Sequence, residues 1–200
     1  MKSWLGQQTE TWERSAAAEG RLWELEPDPD RVYEIFEISK TDRAVAFKMA
    51  LALAEMGSIW AMRVVATSYE FGSGSDVDLG LAEHWYRSAI KKGSWQAFLS
   101  YGHMLGRNQR YDSCEELFEG GVRQNWVPAY YWLAWYRHQR SRSRQTYREI
   151  RPLLEYASDK GHPWAQFTYA SFLLLGKYGL REIPRGIKLM KAMGAEEKTA

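Results

Sequence analysis

Two hundred residues at 23.3 kDa, 45% apolar and 26% charged, suit one ordinary domain or a short stack of repeats and exclude disorder throughout. A formal charge of +2 gives nonspecific polyanion binding no bulk driving force. A single Cys excludes both a disulfide framework and paired Cys-x-x-Cys zinc ligands, which favours a reducing compartment.

The chain opens, from Met1 to Trp12, with one Lys and mostly polar residues, without the apolar core of a signal peptide, so a cytoplasmic setting is expected. Residues 1–41 fit no repeat and are read as a non-repeat N-terminal segment, partly helical. Within it Pro27, Asp28, Pro29 and Asp30 form a turn into a short helix, Val32 to Ile38. The longest apolar stretch, Ala44 to Met56, is interrupted by Lys48 and Glu55 and is too short to span a bilayer. Residues 42–194 then carry an internal repeat, and residues 195–200 read as a polar, solvated tail.

The repeat is anchored on Gly-x-x-x-Ala, found at Gly57 to Ala61, Gly93 to Ala97 and Gly161 to Ala165, with Asn125 to Ala129 as a variant. The anchor alanines lie 36, 32 and 36 residues apart. Each is followed four and five positions on by a large and a small residue: Val65 and Ala66, Tyr101 and Gly102, Leu133 and Ala134, Tyr169 and Ala170. A second register precedes each Gly or Asn: Ala46, Met49, Ala50, Leu53; Ala82, Trp85, Tyr86, Ala89; Cys114, Leu117, Phe118, Gly121; Ile150, Leu153, Leu154, Ala157. Spacings of three and four are the helical period, so each unit is helix, turn, helix, and the Gly or Asn supplies the left-handed residue that ends the second helix. Small residues let facing backbones approach, and neighbouring Trp, Tyr or Leu side chains fill the space beside them. One pair leaves a stripe exposed, and stacking buries it. The predicted fold class is all-α, an α-solenoid of stacked helix-turn-helix repeats.

The best preserved unit reads Gly72, Gly74, Asp78, Ala82, Trp85, Tyr86, Ala89, Gly93, Ala97. It closely resembles the Sel-one-like repeat, a relative of the tetratricopeptide repeat. The match is partial elsewhere: the unit from Ala97 has a shorter inner loop, the one from Ala129 has an Arg-rich stretch in place of the Gly pair, and the last keeps Gly176 and Gly179 but blurs after Pro184. The resemblance implies a scaffold or adaptor that binds protein segments, in settings from envelope and polysaccharide regulation to quality control.

Catalytic signals are sparse. His84, His103, His138 and His162 are scattered, without a His-Glu-x-x-His motif or clustered acidic ligands, so no metal, cofactor or catalytic residue is assigned and the chain is read as non-enzymatic. Gly72-Ser73-Gly74 lacks the preceding strand and closing Lys of a phosphate loop. Asp76 and Asp78 lack the other ligands of a calcium loop, and Asp78 is read as the cap of a helix beginning near Leu79. Cys114 stands in the register of Ala46 and Ala82 and is read as buried.

Two features stand out. Arg137, Arg140, Arg142, Arg144, Arg148 and Arg151 form a basic stretch opposed in sequence only by Glu149. It reads either as a site for phosphate, nucleic acid or an acidic surface, or as a solvated loop between helices. Residues 1–40 hold nine acids against five bases, so an acidic head faces a basic remainder. The second feature comes from helix geometry. At about 100° per residue, positions two and six after each anchor point away from the packed seam. They are Arg63 and Thr67, Leu99 and His103, Tyr131 and Trp135, Phe167 and Ser171. In the tetratricopeptide relatives first-helix positions of this phase line the concave groove, so by resemblance this row is the expected partner-binding surface, with Tyr131, Trp135 and Phe167 as its aromatic end. The other reading packs these rings under the Arg-rich stretch or the final unit. The expected partner is another protein or peptide segment, with nucleic-acid or polyanion binding through the arginines as the alternative and no membrane insertion.

Overall fold

The computed structural model describes residues 7–9, 11–13 and 26–197, which are helical or in turns, with no strand among them. Among the described residues, 26–107 form one compact body, and 108–197 with 7–9 and 11–13 form another. The first body contains α1 (Pro29–Ile38), α2 (Arg43–Glu55), α3 (Ile59–Phe71), α4 (Leu79–Lys91) and α5 (Trp95–Arg107). The second contains α6 (Tyr111–Arg123), α7 (Val127–Arg140), α8 (Arg144–Asp159), α9 (Pro163–Leu174), a 3-10 turn (Leu180–Glu182) and α10 (Ile183–Glu197). Within each body every helix packs on the next in chain order, as an α-solenoid requires.

The repeated turn is built the same way four times. Gly57, Gly93, Asn125 and Gly161 all have positive φ, so the left-handed position assigned to them is occupied, and Asn serves where Gly is missing. The next residue's N–H closes back onto the last turn of the preceding helix: Ser58 to Leu53, Ser94 to Ala89, Trp126 to Gly121 and His162 to Ala157, at 3.0–3.1 Å. At three of these turns the same residue also caps the new helix. Ser58 Oγ, Ser94 Oγ and His162 Nδ1 accept the N–H of the anchor alanine three residues on, at 3.0, 3.2 and 3.2 Å. The fourth helix, α7, has no side-chain cap and instead carries Pro128 in its first turn.

The anchor alanines Ala61, Ala97, Ala129 and Ala165 are all 0% exposed, so the register places equivalent residues in the seam. Ala46, Ala82, Cys114 and Ile150 are buried in the facing register. Cys114 forms no disulfide, and burial pushes its thiol up to about 12. In the best preserved unit the fully buried ring is Tyr86. Its neighbour Trp85 is only half-buried and meets His84 edge-on, so the large core ring sits one position later than a buried Trp85 would place it. Asp78 caps α4 by accepting the Leu81 N–H at 2.8 Å. Gly74 allows α2 to lie close: a Cβ there would fall inside the contact distance of the Arg43 carbonyl. In the second body Gly186 has the same role, since its Cβ would press on Leu173 and the backbone of Leu174.

Candidate functional site

In the first body the expected outward row is largely enclosed. Arg63, Thr67, Leu99 and His103 are half-buried. Thr67 Oγ1 donates to the Arg63 carbonyl at 2.9 Å and lies 3.1 Å from the Tyr86 hydroxyl, which itself donates to Glu70 at 2.9 Å. Arg107 adds its guanidinium to the same buried carboxylate, with Nε at 3.1 Å. Burial, then the Arg107 charge, drive the His103 imidazole down to about 4, so it is neutral at pH 7. Of the four, Thr67 is tied into an internal polar network, through Tyr86, with Glu70 and Arg107.

In the second body the row divides. Tyr131 is a correction: expected to point outward, it is 2% exposed. Its ring stacks on His162 at 4.8 Å and 29°, with Trp132 at 4.9 Å, because α9 begins directly over it. Burial raises its phenol, which bonds Thr168. Trp135 is half-buried and lies parallel to Tyr131 at 6.3 Å. Phe167 is 38% exposed, edge-on to Trp164 at 6.1 Å. Ser171 is half-buried, and its hydroxyl donates to the Phe167 carbonyl at 2.7 Å. Of the three rings, Phe167 is exposed, Trp135 is half-buried and Tyr131 is buried.

The arginine stretch is also corrected. Only Ser141, Arg142 and Ser143 separate α7 from α8, so most of the residues from 137 to 151 are helical. Arg137 donates to Glu115 at 3.0 Å and Glu119 at 2.6 Å, and Arg140 donates to Asp112 at 2.6 Å and Glu115 at 3.2 Å. Arg151 donates to Glu182 at 2.7 Å and lies over the Tyr178 ring. The opposing carboxylates come from α6 and the 3-10 turn, distant in sequence, so counting acids along the stretch missed them. Arg142, Arg144 and Arg148 are exposed.

The most elaborated constellation was not assigned from sequence. His162 is 0% exposed. Its Nδ1 accepts the Ala165 N–H, which leaves the proton on Nε2, and Nε2 faces the Glu13 carboxylate at 3.1 Å. The Trp132 indole donates to the same Glu13 oxygen at 2.8 Å. The Trp12 ring meets the His162 ring edge-on at 5.1 Å and 64°. A faint signal existed: the residue after each Gly or Asn reads Ser58, Ser94, Trp126, His162, so a cap that serine can fill carries a second nitrogen in one repeat. The acidic head thus supplies one carboxylate to the second body, at the start of α9. In the first body Glu26 engages the equivalent turn, accepting from the Ser58 hydroxyl and the Trp60 N–H.

Among the described residues no three His, Cys, Asp or Glu side chains gather as a metal site, and no helix is long and apolar enough to cross a membrane. No family model and no curated protein matches the sequence. Solved structures do. A Sel1 repeat protein from Oxalobacter formigenes is 18% identical with a TM-score of 0.62, the alignment covering 92% of this chain and 82% of that one. A protective antigen of uropathogenic Escherichia coli strains, displaying an SLR fold, is 15% identical with a TM-score of 0.58 over 92% of this chain and 41% of that one. The chain therefore has the Sel-one-like repeat fold.

Proposed function

We propose that this chain is a non-enzymatic scaffold or adaptor that binds a segment of another protein on the aromatic face of its second body. The observation that carries this reading is the exposed Phe167 ring and the half-buried Trp135, the latter lying against the buried Tyr131–His162 layer. Rings held on a rigid layer lose little freedom on binding and serve as interface anchors. Sel-one-like repeat folds present such helix faces to protein partners. We assign the scaffold to the cytoplasm, on its single, buried cysteine.

The test is affinity capture from the native cell with the unaltered chain, Phe167→Ala and Trp135→Ala, with and without nuclease. Both variants are expected to keep their helical fold and lose the partner. A folded variant that captures the partner normally would remove this face from the function. The exposed Arg142, Arg144 and Arg148 support a second reading, polyanion binding. Capture lost on nuclease treatment, or falling steeply with salt, would favour it over the aromatic face.

A further inference from the structure

We propose that the Trp132–His162 site recognises a segment presenting an aromatic ring followed directly by a carboxylate. In this chain Trp12–Glu13 fills the site as an intramolecular ligand that a partner's segment must displace. The inference rests on reading the second body as a segment-binding scaffold and names both the chemistry of the segment and the device that guards the site.

The site is built for an acid. Two side-chain donors, the Trp132 indole and the His162 imidazole, converge on one Glu13 oxygen at 2.8 and 3.1 Å. The imidazole cannot turn away. Its Nδ1 is committed to the Ala165 N–H and its face to Tyr131, which sets the tautomer and points Nε2–H at the acid. Serine caps the equivalent helices at Ser58 and Ser94, so capping alone does not explain the histidine. The equivalents of Trp132, three residues past each anchor, are Val64, Ser100 and Thr168, so one repeat alone joins an indole donor to an imidazole donor. The neighbouring ring has its own place: Trp12 packs edge-on against His162. A Cβ at Gly161 would meet its indole nitrogen at 3.7 Å, an ordinary contact, so the ring lies directly against the turn that opens α9.

The occupant comes from far along the chain, 119 residues before Trp132 and 149 before His162. Covalent attachment gives such a segment an effective concentration on the order of millimolar, so it holds the site closed against a weak competitor and yields to one offering a better ring and acid. Thr9, three residues before Trp12, is buried as well.

The experiment uses the full chain, unaltered and as the double variant Trp12→Ala/Glu13→Ala, with a fluorescently labelled peptide of residues 5–16 as probe. Anisotropy should show the peptide binding the double variant at least tenfold more tightly than the unaltered chain. A peptide carrying Glu13→Gln should bind the double variant at least tenfold more weakly. Adding Trp132→Phe to the double variant keeps a ring, removes the N–H and should produce a similar loss. Equal peptide affinity for opened and unaltered chains, or none for either, would overturn the proposal. Glu13→Gln in the full chain is the gentler opening; if it and the double variant both lose their helical circular dichroism, the segment is a structural part of the body and the proposal is wrong. Absent peptide binding with intact partner capture sinks the intramolecular ligand alone. Peptide binding to the opened chain, with capture unaffected by Trp135→Ala and Phe167→Ala, sinks the aromatic-face reading alone.

Discussion

Two glycines with similar backbone angles have different reasons to be glycine. Gly57 and Gly74 both lie at positive φ, where a side chain is strained. Around Gly57 a Cβ meets only the tip of Lys92 at 3.4 Å, whereas at Gly74 it drives into the Arg43 carbonyl and the Phe47 side chain. Gly57→Ala should therefore cost about 1 kcal/mol, the usual strain of a left-handed alanine. Gly74→Ala should cost at least twice that, because α2 has to move. Urea unfolding of the two variants measures the difference, and equal losses would remove the close approach as its cause. Tyr86 is a second case. Its hydroxyl joins Thr67 to the buried Glu70, so Tyr86→Phe leaves the ring packed but takes a donor from a buried carboxylate, a loss of about 1.5–3 kcal/mol. A change below about 0.5 kcal/mol would mean Arg107 alone satisfies Glu70.

At the scale of the element, sequence proximity was misleading about charge. Arg137 and Arg140 sit near the end of α7, where cations also favour the helix dipole, and each bridges to α6. Arg142 and Arg144 flank the α8 cap Ser143 and are exposed. Arg142→Glu/Arg144→Glu should leave the melting temperature nearly unchanged, since exposed charges contribute little. Arg137→Glu should lower it, because it sets a third carboxylate beside Glu115 and Glu119. Thermal denaturation of the two variants at low salt compares them directly; the reverse order would contradict the ion pairs seen here. Capping obeys similar logic. Asp78→Ala removes the acceptor for Leu81 N–H and should cost about 1 kcal/mol.

Over the whole molecule, titratable groups bound the pH range of stability from both sides. His103 is driven down to about 4 by burial and then by Arg107, and His138 is lowered by burial and by Arg142 and Lys177. For these groups the unfolded chain takes up protons first. Their contribution is complete above about pH 6.5 and is lost as pH falls below it, toward 4 for His103. Tyr86, Tyr101, Tyr131 and Tyr178 are raised by burial, Tyr101 to about 12. Here the unfolded chain loses protons first, so stability is complete below about pH 10 and declines above it. Denaturation midpoints across pH should form a plateau between these limits. In an NMR titration the His103 ring should titrate well below the range of an exposed imidazole; a value near 6.5 would show that the ring is solvated.

The sequence by itself determined whatever repeats with the helical period. The anchor alanines, the Gly or Asn turns, the Asp78 cap and the buried Cys114 all follow from local chemistry or from a small residue recurring in one register, and all four anchors lie in the seam. The repeat also carried the Sel-one-like fold, because stacking is the only way for such pairs to bury their stripes. Tertiary structure alone decided which outward positions remain outward. Tyr131 is covered by the start of α9, and three of the six arginines are neutralised by carboxylates from other elements, contacts that a helical wheel of one segment does not contain. It also decided that Glu13 meets Trp132 and His162. That meeting spans more than a hundred residues and involves a segment outside the repeat, so no periodicity encodes it. Only the folded chain, by bringing a distant carboxylate to a histidine already fixed by its cap, makes the contact exist.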